Sequence, residues 1–384
     1  MEEEPLVTVY AHINTVPNGS TGGIMMKEHR ELLSAGKESY AFWGRGREAE
    51  KSNEMKFASD AEVKLDVLQT RIDGKAGFHS KNATKRLLAR LDEIKPDVVH
   101  LHNLHGYYVN IEMLFNWLAN HNCKVEWTLH DCWSFTGHCA HFTYAKCAQW
   151  KEHCAYSRPC SQLNTYPKTF SKSSCSWNYE EKNHLFNLVP AERMKLITPS
   201  QWLADLVGES FLKDFPVEVR HNTIDTDVFK PIPSDFRERY GIGDRFMILG
   251  VASPWTERKG LSDFVRLAGQ LDSDKYVIVL VGLSEKQVEE LPKGIVGLTR
   301  TESREELAGI YSTADVFFNP TTEDNFPTVN LEAEACGTSV VTYDTGGCSE
   351  TVKREGSRVV DGYEDAIRIL QERLSLWCRT PFGR

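Results

Sequence analysis

Long apolar runs are missing from this chain of 384 residues. The longest, such as Tyr276 to Leu283, fall far short of the about 20 residues needed to span a bilayer. No secretory leader is expected either: Met1-Glu2-Glu3-Glu4-Pro5 is acidic where such a signal is basic, and no apolar core segment follows it. These two absences predict a cytoplasmic protein whose membrane contact is at most peripheral, on the cytoplasmic face of the inner membrane. Positive charge is in deficit, with 45 Lys and Arg against 54 Asp and Glu and a formal charge of -9. Broad nucleic-acid binding, which needs a basic surface to displace counterions, is thereby disfavoured. No Gly-x-Gly-x-x-Gly opens a strand-helix unit, which weakens any reading as an NAD-dependent oxidoreductase. Internal repeats, low-complexity tracts and compact CxxC pairs are absent too.

What is present implies two α/β domains, because 384 residues exceed one comfortable core. Short β-branched or aromatic runs alternate with amphipathic stretches. Val7 to Ile13 reads as a first strand, followed by a helix over Ile24 to Ser34. Val98 to His102, Val125 to Leu129 and Leu196 to Thr198 continue the series. A second series follows Pro231 and Pro233: Phe246 to Val251, Tyr276 to Val281, Val316 to Phe318 and Ser339 to Thr342. Such alternation predicts parallel sheets covered on both faces, in two doubly wound domains that hold ligand at strand ends. The boundaries read as 1–222 for the first domain, 223–243 for a linker, 244–362 for the second domain and 363–384 for a C-terminal helix, taken to cross back to the first. Residues 132–177 break the rhythm and read as an insertion.

Four stretches carry chemistry. After the strand at Val316, Glu323-Asp324-Asn325-Phe326-Pro327-Thr328 turns into a helix that reaches Glu332 and is stopped by Gly337. Pro327 suits the first helical turn. Free amides and the dipole at such a helix start favour a diphosphate, and Asp324 and Glu332 can reach separate hydroxyls. Arg258 and Lys259 follow the first strand of the second domain, placed to neutralise a diphosphate. Asn18-Gly19-Ser20-Thr21-Gly22-Gly23 follows the first strand of the first domain. Gly22 and Gly23 admit a phosphate closely, and Ser20 or Thr21 can cap the next helix. His130 ends a further strand, and Asn103 and His105 end the one before it, lining an acceptor pocket. The bland alternatives are solvated helix-end carboxylates, a surface basic pair and a structural histidine.

The acidic segment, with Asp324 seven residues ahead of Glu332, resembles the donor motif of retaining GT-B glycosyltransferases, glycosyltransferase family 4. Glu323 lies one residue too early for that spacing. Arg258 and Lys259, Thr198 to Trp202 and His221 to Asp225 also resemble that family. The His-Asp-Cys-Trp and Glu-Asp-Asn-Phe-Pro-Thr segments are similar to its bacterial surface-polysaccharide members. The resemblance implies two Rossmann-like domains facing across a cleft and a nucleotide-diphosphate sugar as donor. It implies a glycan acceptor, polyprenyl-linked and reached from the membrane surface. Glu323, Asn325, Phe326, Pro327 and Thr328 would line the donor site, Asp324 would contact the transferred sugar and Glu332 the ribose. His130 would contact the sugar, and no catalytic metal or cofactor would be needed. Asp225-Thr226-Asp227, which mimics a metal motif of the other main transferase fold, reads as linker. A binding adaptor without turnover and a sugar-nucleotide epimerase are the competing functions.

Two further features stand apart. Cys139, Cys147, Cys154 and Cys160 could hold a structural zinc that folds an insertion with little core of its own. Free thiols and disulfides are the alternatives. Lys81 to Lys95 interleaves Lys81, Lys85, Arg86 and Arg90 with Leu87, Leu88, Leu91 and Ile94. That pattern reads either as a helix on an anionic lipid surface or as one packed on its own domain.

Overall fold

Runs of Val, Ile, Leu and Phe too short for helices form strands, and strands apolar on both sides demand cover on both sides. The computed structural model describes residues 8–377 and shows two parallel sheets so covered. The chain divides into two compact units, Met1–His221 and Asn222–Arg384.

In the first unit the strands are β1 (Val9–Asn14), β2 (Glu38–Trp43), β3 (Glu54–Lys56), β4 (Val98–Leu101), β5 (Lys124–Thr128), β6 (Met194–Thr198) and β7 (Val217–Val219). Its helices are α1 (Gly19–Ser34), α2 (Asp60–Asp73), α3 (Lys81–Ile94), α4 (Ile111–Asn120), α5 (Ser174–Phe186) and α6 (Gln201–Gly208). The second unit has β8 (Phe246–Val251), β9 (Tyr276–Val281), β10 (Ile295–Leu298), β11 (Val316–Asn319), β12 (Val340–Tyr343) and β13 (Arg358–Val360). With them run α7 (Phe236–Arg239), α8 (Leu261–Ala268), α9 (Glu285–Glu289), α10 (Arg304–Thr313), α11 (Thr328–Ala335) and α12 (Tyr363–Trp377).

Strand order is β3-β2-β1-β4-β5-β6-β7 in one sheet and β10-β9-β8-β11-β12-β13 in the other. Each sheet reverses direction of travel beside its own first strand, between β1 and β4 and between β8 and β11. At such a switch point the connecting helices leave to opposite faces and open a crevice at the carboxyl ends. Strand parity fills the space on either side of the second sheet: Leu249, Val279 and Phe317 enter one core, Ile248, Ile278 and Phe318 the other.

Several expectations shift. α1 starts at Gly19 rather than Ile24, so the glycine-rich turn is itself helical. Asn18, not Ser20 or Thr21, holds the N-cap position, without a side-chain capping bond. The segment 223–243 is not bare linker: Phe229, Phe236 and Ile242 are buried in the core of the second unit. Asp225 there pairs with Arg304 at 3.1 Å. α3 packs on its own domain, burying Leu87 and Leu91. Arg86 donates to the Phe57 carbonyl and pairs with Glu62, while Arg90 pairs with Glu93. The apolar face proposed for lipid is therefore already covered. α12 adds Ala366 and Leu370 to the core holding Val341 and Tyr343. Its expected continuation over residues 378–384 lies outside the described residues.

Candidate active site

At the β8–β11 switch point two loops are locked together. After β8 the chain enters one 3-10 turn, Glu257–Lys259. Trp255 anchors it, its indole N–H donating to the Val281 carbonyl at 2.9 Å. Gly260 closes the turn at φ +76°, and a Cβ there would sit 2.5 Å from the Pro320 carbonyl oxygen. Only glycine permits that backbone contact. Thr322 N–H then donates to the Arg258 carbonyl at 2.8 Å, and Arg258 Nη1 donates to the Glu323 carbonyl at 3.1 Å. The Lys259 ammonium pairs with the Asp324 carboxylate, both half-buried. From the other side Gly346, at φ +59°, abuts the Asp324 carbonyl so closely that a Cβ would lie 1.8 Å away.

Glu323, Asn325, Phe326 and Pro327 are buried beneath this contact, while Thr328 is half-buried at the start of α11. Pro327 takes the N-cap position with extended backbone, one residue outside the helix where its first turn was expected. Pro327 has no side-chain acceptor to offer the first turn of α11, a helix start that suits an outside acceptor. Gly337, at φ +92°, follows its end. A buried amide chain fixes the helix to the sheet: Asn319 donates to Asn330 at 2.9 Å, and Asn330 donates to Thr351 at 2.8 Å. One turn on, Glu332 accepts a bond from Tyr311 at 3.1 Å. Burial raises the Glu332 carboxyl above its usual range, only partly opposed by that bond and by Arg304.

The β1–β4 switch point of the first unit gathers the other expected residues. Gly22 answers to its own backbone, since a Cβ would meet the Val16 carbonyl oxygen at 2.5 Å; Gly23 is exposed and has open space. Asn14 joins the two strand ends, accepting from Asn103 N–H at 3.3 Å and donating to the Val16 carbonyl at 3.1 Å. The Asn103 carbonyl accepts from Tyr108 at 2.6 Å. His105 bridges Asp131 at 2.7 Å and Tyr166 at 2.9 Å. Burial would raise Asp131, but the charge of His105 and its hydrogen bond hold the carboxyl well below the usual range. Asp131 and Tyr166 were not singled out from sequence; the His-Asp pair at two strand ends was the available signal. His130 Nε2 lies 3.2 Å from His102 Nδ1. Burial, aided by His100 and opposed by Asp131, lowers His130 to about 4. So weak a base suits a contact to a hydroxyl better than proton abstraction.

The insertion departs from expectation. Phe135, Phe142 and Trp150 are buried, with Phe142 and Trp150 stacked at 4.8 Å, and all three join the main core of the first unit. Lys182 of α5 pins the insertion, donating to the carbonyls of Trp133 at 2.8 Å and Thr136 at 3.0 Å. Cys139, Cys147, Cys154 and Cys160 do line one cavity of about 20 Å³, joined by Cys175 and His138. Cys139, Cys147, Cys154, Cys160 and Cys175 are thiols outside any disulfide. Among the described residues, however, the ligand atoms close enough to share an ion are those of His12, Glu28, His100 and His102. The four cysteines share a cavity but form no group of that spacing among the described residues.

Two doubly wound parallel sheets of this order are the GT-B class of glycosyltransferase fold. Comparison places the chain within that class. Residues 245–373 match the family described as Glycosyl transferases group 1. The putative colanic acid biosynthesis glycosyl transferase WcaC of Escherichia coli K12 is 24% identical over 92% of this chain and 87% of its own length. Sucrose-phosphate synthase from Thermosynechococcus elongatus superposes with a TM-score of 0.70 at 16% identity, over 96% of this chain and 90% of that one. HepE of Anabaena in complex with UDP-glucose does so with 0.60 at 14% identity, over 94% and 88%. The second unit is thus similar to the group 1 glycosyl transferases, and the whole chain has the GT-B fold of those solved structures. Among the described residues no helix is long and apolar enough to cross a membrane.

Proposed function

We propose that this protein is a retaining, metal-independent glycosyltransferase of family 4. It moves a sugar from a nucleotide-diphosphate donor to a glycan acceptor, lipid-linked, in surface polysaccharide synthesis. The carrying observation is the lock between the turn bearing Arg258 and Lys259 and the loop bearing Asp324, beside the uncapped start of α11. The similarity to WcaC supports the polysaccharide role, and the UDP-glucose complex of HepE supports the donor class.

In this reading the bond from the anomeric carbon to the diphosphate breaks, and its electron pair leaves with the diphosphate. Arg258, Lys259 and the amides of Thr328 and its neighbours stabilise that growing charge. The acceptor hydroxyl attacks the same face, and its proton passes to a departing phosphate oxygen. No Asp or Glu is required as nucleophile. Asp324 orients the sugar, Glu332 the ribose, and His130 offers a neutral contact.

The test is a thermal-shift screen of sugar nucleotides, followed by product analysis with the best stabiliser. An α-linked donor should give an α-linked product, at a rate that brief EDTA treatment leaves unchanged. An inverted product would end the retaining assignment. Binding without turnover would favour an adaptor, and conversion without acceptor an epimerase.

A further inference from the structure

Beneath the first switch point lies a cluster that the transfer reaction does not use. His12 of β1 and His100 of β4 are register partners, and His102 follows two residues on, the interval that returns a side chain to the same face. Glu28 reaches them from α1. One ligand atom from each of the four lies within 4.8 Å of all the others. His12 and His102 are buried to 1% exposure.

Within this cluster the hydrogen bonding is incomplete at the centre. Both ring nitrogens of His12, Nε2 of His102 and Oε2 of Glu28 are buried without a hydrogen bond. Glu28 Oε2 stands 3.1 Å from His100 Nδ1 and 3.7 Å from His102 Nε2. The outward nitrogens, by contrast, are engaged: His100 Nε2 with Thr128 at 2.8 Å and His102 Nδ1 with His130 at 3.2 Å. Each buried polar atom left unpaired costs about 1–3 kcal/mol. Several converging on one point are hard to reconcile with a merely packed core, whereas a shared cation satisfies them together.

We propose that His12, Glu28, His100 and His102 bind one divalent cation of zinc type, as a structural site. Three imidazoles and one carboxylate form a donor set suited to zinc, and four protein ligands leave no position open for catalysis. Thr128 and His130 act behind the ligands, each fixing the ring nitrogen that faces the ion. Ligand distances of about 2.0–2.1 Å require the four groups to draw in slightly. The ion ties α1 to the centre of the sheet and so sets the place of its glycine-rich first turn. This assignment does not depend on the proposed reaction.

The full chain, purified from zinc-supplemented medium, is compared with His12→Phe and Glu28→Gln by elemental analysis, with circular dichroism as the folding control. Phenylalanine replaces the ring without a ligand, and the half-buried Glu28 tolerates a near-isosteric amide. The expected result is a loss of about one equivalent of metal in folded His12→Phe and weakened retention in Glu28→Gln. In cobalt-substituted protein, the bands lost with either variant should be weak and visible. A lost near-ultraviolet thiolate band would place the metal on the cysteines instead. Equal metal content in wild type and both variants would overturn the site and leave an ordinary histidine cluster. If His12→Phe does not fold, Glu28→Gln decides the matter alone.

Discussion

Lys259 and Asp324 neutralise one another across two loops, and a diphosphate would compete for the cation. Replacing Lys259 or Arg258 by alanine should lower kcat/KM for the donor by about 10²–10³, the scale on which a fixed charge-stabilising donor acts; steady-state kinetics on folded protein check this. Glu332 presents the opposite balance. Its folded carboxyl titrates above the unfolded one, so the native state binds more protons in between, and stability falls as pH rises through that window. Glu332→Gln should therefore raise Tm by a few degrees at neutral pH and leave it unchanged below the unfolded carboxyl range near 4.5. Ribose contact would be lost, so nucleotide affinity should fall in the same variant; calorimetry and melting curves measure both. The spacing of Asp324 and Glu332 was visible in sequence. Tyr311, which reaches Glu332, was not, because nothing local ties a residue of α10 to a carboxylate of α11.

At the level of elements, the strands were readable because they are apolar on both faces, whereas turns defined by contact with distant backbone were not. Gly260 looked like any residue after a basic pair, yet its φ of +76° and its approach to Pro320 exclude a side chain. Gly260→Ala should destabilise the second unit by about 1–3 kcal/mol and weaken donor binding together, as denaturant melts and nucleotide titration would show. The start of α1 was misread for a related reason. Glycine suggested a loop, but Gly22 is small because helix and preceding backbone touch. In the insertion, aromatic rings join the first unit's core without helical or strand periodicity, so their burial was invisible to pattern reading.

Across the whole molecule, the two sheets have separate cores, one set within residues up to Phe215 and the other beginning at Phe229. Residues 222–384 expressed alone should thus fold cooperatively and still bind nucleotide, though without transfer activity. Circular dichroism and isothermal titration with UDP or GDP test this; a molten product would mean that the second core is insufficient. Composition foretold two α/β halves at this scale, because alternation of short strands and helices leaves little other architecture.

Gly260 and Gly346 press on the acidic loop from opposite sides through main-chain atoms. The path of residues 320–324 is thus held by close glycine backbone as well as by the hydroxyls of Thr321 and Thr322, which donate to the Arg258 carbonyl. Redesign of sugar preference on this rail therefore has to keep both glycines and both threonines, or the loop loses the contacts that set its course.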